Sequence, residues 1–237
     1  MKLPDFFDKV PRLRLYDPLA EALGCAEQGI LEYSYADAVR LAGHSCPTVA
    51  ASYWLTWLAL EHLYPGGLPQ RGGVKVEFRE SEREGSTGVA AGVVQMLTGA
   101  AGDLGFKGVG GRFARVGLQR FSRDVPLSIR YTRLDNGAAV DAAADLTLPL
   151  PGQAPRPRTR GHESADLTAI AELGALWQRR VKHLLIDHPR DPGVFIIREA
   201  ERRSDPRNAR LPAIRVADQP MPPKKPSGLL VRATDTM

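Results

Sequence analysis

A stretch of about a dozen apolar residues, Val49 to Leu60, constrains this chain more than any other feature. It begins after Pro47 and ends before Pro65-Gly66-Gly67. Proline at the first helical position costs no hydrogen bond, and a Pro-Gly-Gly run stops a helix. A helix of roughly Thr48 to Tyr64 is therefore expected. Tyr53, Trp54, Trp57, Leu58 and Leu60 surround it on most sides. A helix that is apolar all round has no solvent face, so the rest of the chain must cover it. It is too short to span a bilayer, which takes about 20 residues.

The flanking segments read as helices and strands in alternation. Asp17, Pro18 and Gly24 mark a short helix with a cap, a first-turn proline and a stop. Ser34 opens a second helix that Gly43 ends. After the apolar helix, Val74 to Arg79 alternates apolar and polar as a strand buried on one face does. A small-residue helix is expected from Thr87 to about Thr98, then a Gly-rich segment to Gly111 and a strand over Phe113 to Phe121. Leu127–Thr132 and Ala138–Leu148 flank Asn136-Gly137, the signal of a type I′ hairpin. The expected fold is α+β, an antiparallel or mixed sheet packed on the central helix, over residues 1–150. A Pro/Arg-rich linker over 151–164 follows. A helix from Ala165 to His188 and a short strand at Val194–Ile197 occupy 165–203, and a proline-rich extended tail runs over 204–237.

Composition narrows the function. Charged residues make up 25% and net charge is +5, but the basic stretches lack the interleaved aromatics of a nucleic-acid surface, which argues against that partner. No segment reads as a membrane span. The acidic N-terminus does not resemble a secretory signal, and two cysteines build no disulfide framework, so a cytoplasmic location is expected.

Chemistry concentrates in Gly43-His44-Ser45-Cys46-Pro47. An imidazole and a thiol two residues apart suit zinc or a similar divalent metal, and the unpaired N–H groups of a helix start favour a thiolate. On these grounds Cys46 is expected to alkylate faster than Cys25, which reads as a small, partly buried residue. Other readings remain open: a histidine capping the preceding helix beside a buried cysteine, a haem thiolate at Cys-Pro, or a Cys-His hydrolase. In the acidic loop Glu77, Glu80, Glu82, Glu84, the last stands directly before Gly85 and the next helix, and is the candidate oxygen ligand. Within Gly102–Arg112, Lys107 and Arg112 are candidate holders of a small anionic substrate.

Gly-His-Ser-Cys-Pro before an apolar helix, with Gln95-Met96-Leu97-Thr98-Gly99 and Gly105-Phe106-Lys107-Gly108, resembles the FmdE-like family, named for a component of formylmethanofuran dehydrogenase, over residues 34 to 148. The resemblance implies an α+β fold, a homodimer, and a zinc site at the His-x-Cys corner, with metal-assisted chemistry or an accessory role beside a larger enzyme. This chain departs from the pattern. Thr87-Gly88-Val89 stands where Asp-x-Cys is common, Ala100 replaces a cysteine, and no cysteine follows Cys46. A site with fewer sulfurs, His44 and Cys46 with Glu84 or water, is an open one.

Overall fold

The computed structural model describes residues 2–147 and 167–200, all within one compact unit, Met1–Arg202. The linker over 151–164 and the tail over 204–237 lie outside the described residues. A 3-10 turn at Asp5–Lys9 leads into β1 (Leu13–Tyr16), α1 (Pro18–Ala22) and β2 (Ile30–Tyr33). Next come α2 (Tyr35–Ala42), α3 (Pro47–Leu63), β3 (Val74–Phe78), α4 (Thr87–Thr98), β4 (Gln119–Arg120), β5 (Ile129–Arg133) and β6 (Ala139–Ala144). The last elements are α5 (Leu167–Lys182), which ends in a π-type turn at His183–Asp187, and β7 (Phe195–Glu199).

The main sheet has the order β4-β3-β5-β6-β7, with β3–β4 parallel and the other pairs antiparallel; β1 and β2 form a separate hairpin. The α+β expectation holds, and α3 is the centre of it. Val49, Ala50, Tyr53, Trp54, Leu60 and their neighbours are buried against the sheet and the surrounding helices. The polar atoms that α3 carries inward all find partners. Tyr53 hydroxyl lies 2.8 Å from Pro11 O and 3.0 Å from Tyr33 O, Thr56 Oγ1 lies 3.0 Å from Tyr131 hydroxyl, and Trp54 Nε1 donates to Pro189 O. Such satisfaction is what allows polar atoms inside an apolar core.

Val74, Val76 and Phe78 point into the core, so Lys75 and Glu77 face the other side of the sheet. On that side the register aligns one row across all five strands: Arg120, Glu77, Arg130, Asp141 and Arg198. The charges alternate in sign along it. Arg130 and Asp141 in the middle are buried and joined by two bonds of 2.7 and 2.8 Å.

At the start of α2, the Asp37 carboxylate accepts from Ser34 N and Ser34 Oγ, each at 2.8 Å. It thereby satisfies a backbone donor that the helix leaves unpaired. Asp37→Ala is expected to cost about 1 kcal/mol, measured as a shift of the urea midpoint at unchanged slope; no shift would contradict it.

Three local expectations are corrected. The strand placed at Phe113–Phe121 is only Gln119–Arg120, because the segment before it coils back on itself: Ala101 N donates to Arg115 O and Arg115 N to Phe106 O. The hairpin after β5 is present, but its turn is not type I′, which needs positive φ at both central residues. Only Gly137 has it (φ 72°), while Asn136 uses its side chain to accept from Ala138 N at 2.9 Å. The helix placed at Ala165–His188 is α-helical only to Lys182 within the described residues.

Candidate functional site

α2 ends at Gly43, whose φ of 74° is the left-handed conformation of a helix stop. Cys46 is the N-cap of α3 and Pro47 its first residue. Three hydrogen bonds fix the corner between the helices. Tyr35 hydroxyl lies 2.9 Å from Ser45 Oγ, Gln178 Nε2 donates to Ser45 O at 3.0 Å, and His44 Nδ1 sits 2.9 Å from Ala42 O. A carbonyl only accepts, so Nδ1 carries the hydrogen and the neutral ring keeps its lone pair on Nε2. His44 is exposed and Cys46 is buried at 7% exposure. Burial holds the Tyr35 hydroxyl above its usual pKa, with the Ser45 bond opposing and Cys46 adding to the rise.

Cys25, expected to be partly buried, is exposed. The access on which faster alkylation of Cys46 depends therefore favours Cys25 instead. A cysteine packed among Tyr35 and the start of α3 is shielded by the same helix that would activate it.

Beside the corner is a pocket of about 180 Å3 between the N-terminal turns of α3 and α4 and the sheet end. Thr48, Ser52, Ser86 and Glu80 are among its polar lining, and Leu55, Phe78 and Ile129 among its apolar walls. Thr48 Oγ1 donates to Ser86 Oγ at 3.3 Å and closes the gap between the helix starts. The acidic loop reaches this pocket through Glu80. Glu84 is exposed, and its backbone N–H donates to Ser81 O at 3.1 Å. Ser52 could have been found from sequence as a hydroxyl inside an apolar helix; Glu80 carried no distinguishing signal.

Lys107 and Arg112 are both exposed and line neither this pocket nor the larger groove described below. Their loop is a tight turn in which Val109 and Arg112 exchange backbone bonds of 3.0 Å. Among the described residues, no group of three or more His, Cys, Asp or Glu side chains is placed to hold a metal ion. The structure thus keeps His44 and Cys46 in one turn, with Glu84 in no metal-holding group among the described residues and with Lys107 and Arg112 outside both pockets.

One buried charge cluster escaped the sequence reading. Asp17, read there as a helix cap, does accept from Leu19 N and Ala20 N. It also accepts from Arg71 Nη1 at 2.9 Å and Arg115 Nη2 at 2.7 Å, partners 54 and 98 residues away. Gly72 is required beside it: a Cβ there would lie 1.4 Å from Arg115 Nη1.

Comparison with known proteins finds no matching family, no matching curated protein and no matching solved structure. No helix among the described residues is long and apolar enough to cross a membrane.

Proposed function

We propose that the chain is a cytoplasmic metal-binding protein similar to the FmdE-like family, with His44 and Cys46 as two ligands of an open zinc-type site. The observation that carries this reading is the bond between His44 Nδ1 and Ala42 O. A metal-binding histidine characteristically donates its other ring N–H to a carbonyl or carboxylate, which sets the tautomer and aims the free nitrogen. The donor set suits a site with exchangeable positions rather than a closed structural one, which takes four protein ligands. Glu84 is the proposed third, mobile ligand. Lys107 and Arg112, acting from their exposed loop, are the proposed holders of a small anionic substrate. When bound, the ion supplies Lewis acidity or an activated water. The Tyr35–Ser45–Gln178 bonds keep the corner from shifting.

A second reading, a non-catalytic metal carrier or an accessory component of a larger enzyme, draws support from the exposure of His44 and the lack of a converged third ligand among the described residues. The remaining ligands then come from the partner enzyme. Turnover of a small molecule by the isolated protein favours the first; copurification with a large partner and no turnover favours the second.

Metal analysis of protein purified without an affinity tag tests both. His44→Ala and Cys46→Ser are each expected to lose most of the bound metal with an unchanged far-UV CD spectrum. In the metal-free protein Cys25 is expected to alkylate first, and added zinc to slow alkylation at Cys46 only. Unchanged metal content in both variants overturns the proposal.

A further inference from the structure

β7 is the terminal strand of the main sheet, with β6 on its inner side. Their ladder runs from Val140 opposite Glu199 to Ala144 opposite Phe195. It continues beyond both ends: Asp145 N donates to Val194 O and Ala200 N to Ala139 O, each at 2.9 Å. In an antiparallel pair, residues that exchange backbone bonds alternate with residues that do not. Residues 194, 196, 198 and 200 therefore bond inward to β6, and Phe195, Ile197 and Glu199 turn their N–H and C=O groups to the outer edge. Of these groups only Phe195 N–H has a partner among the described residues, Asp191 O at 2.8 Å.

A groove of about 520 Å3 runs beside this edge, with Leu58, Phe195 and Ile197 on its apolar side and Glu61, His62 and Arg190 among its walls. Its sequence Phe-Ile-Ile-Arg-Glu contains no proline and its pairing no bulge, and its charged side chains, Arg198 and Glu199, stand at one end. Charged side chains stand at both ends of the edge. Arg190, bonded to Glu61 at 2.8 and 2.7 Å, lies at the Phe195 end, and the Glu199 carboxylate marks the other.

We propose that β7 pairs antiparallel with β7 of a second copy about a two-fold axis at Ile197, joining two five-stranded sheets into one. The edge is its own complement. Ile197 exchanges two backbone bonds with the partner's Ile197, and Glu199 N–H reaches the partner's Phe195 O twice by symmetry. The one outward N–H already in use, at Phe195, would otherwise donate to the partner's Glu199 O, so each Phe195–Glu199 pair across the axis makes one bond rather than two. The same register carries each Glu199, which lies 3.4 Å from His62 in its own chain, toward the Arg190–Glu61 pair at the far end of the opposite groove. An isologous contact requires such self-complementarity, and an unrelated strand has no reason to match it. This pairing assigns a surface to the homodimer implied by the family resemblance, and it stands whether or not His44 and Cys46 bind metal.

Light scattering on the full chain is expected to give a dimer, in wild type and in His44→Ala alike. Ile197→Pro deletes an outward N–H and no bond to β6, so it is expected to give a monomer with an unchanged far-UV CD spectrum. In a Cys25→Ser background, the pair Ile196→Cys with Arg198→Cys places thiols opposite each other across the axis, in a non-bonded pair whose Cβ atoms lie about 4.5–5.5 Å apart. Mild oxidation is expected to yield a covalent dimer from the double variant and not from either single one. Within one strand the two positions are about 6.6 Å apart along the chain and face the same way, too far for a ready bridge. A monomeric wild type overturns the proposal. So does a dimer that survives Ile197→Pro and fails to cross-link in the double variant.

Discussion

Asp17→Ala is expected to remove about 3–5 kcal/mol of folding stability. Asp17 is 2% exposed and Arg115 6% exposed. Deleting the carboxylate leaves a buried guanidinium without its counter-charge, and Arg115 Nε already lacks a partner within hydrogen-bond distance. Arg71 is less affected, because Nε and Nη2 both donate to Met96 O. Urea titration is the measurement, and Arg115→Met in the Asp17→Ala background is expected to restore part of the loss by removing the stranded charge. A loss below about 1 kcal/mol in the single variant, the level of an exposed pair, would falsify this account.

The same cluster sets a pH dependence. Burial by itself raises the Asp17 carboxyl, but the Arg71 hydrogen bond, the Arg115 charge and the two backbone donors outweigh it, and its pKa lies below the ordinary value. A folded-state pKa below the unfolded one gives stability that is fully present above the unfolded value, about 3.9. That stability is lost as pH falls through the folded value. Wild type should therefore lose stability on acidification below about pH 4, and Asp17→Asn should lack this component of the loss.

Trp54→Ala is the second large effect, expected at about 3–5 kcal/mol. The indole is 2% exposed, stacks on Trp57 at 4.8 Å with the rings 9° apart, and donates to Pro189 O. The substitution opens a cavity in the centre of the fold and unties the segment leading to β7. Trp54→Phe keeps most of the volume and loses the bond, so it should cost less while still speeding amide exchange in residues 183–190. Equal exchange in wild type and Trp54→Phe would show that the bond to Pro189 does not hold that segment.

What the sequence disclosed follows from how local the cause was. The bounds of α3 were legible because Pro47 and Pro65 lie next to the residues they delimit. The cap at Asp17 was legible for the same reason. Its two arginines were not, since nothing local distinguishes Arg71 and Arg115 from the other arginines of a basic chain. Asn136-Gly137 marked a hairpin correctly and its turn incorrectly, because an asparagine side chain can replace the backbone geometry that the pair usually signals. At the corner, spacing placed His44 and Cys46 in one turn and Cys46 at the helix start. It could not reveal that Cys46 is buried, nor that Glu80 rather than Glu84 reaches the pocket, because burial depends on elements distant in the chain.

The charged row across the outer sheet face has a consequence for how the chain finds its fold. Sliding β5 by two residues against β3 leaves every side chain on its proper face, so the hydrophobic pattern alone does not forbid it. In one direction that slip sets Lys75 opposite Arg130; in the other, Glu77 loses its arginine to Arg79. Sliding β6 against β5 parts Arg130 from Asp141 and leaves both charges facing alanine, serine or threonine. The first slip sets a basic residue opposite Arg130 in either direction, and the second parts Arg130 from its buried partner Asp141. The row works as a proofreading lock: the apolar face selects which side of each strand turns inward, and the alternating charges select the single tooth at which the strands engage.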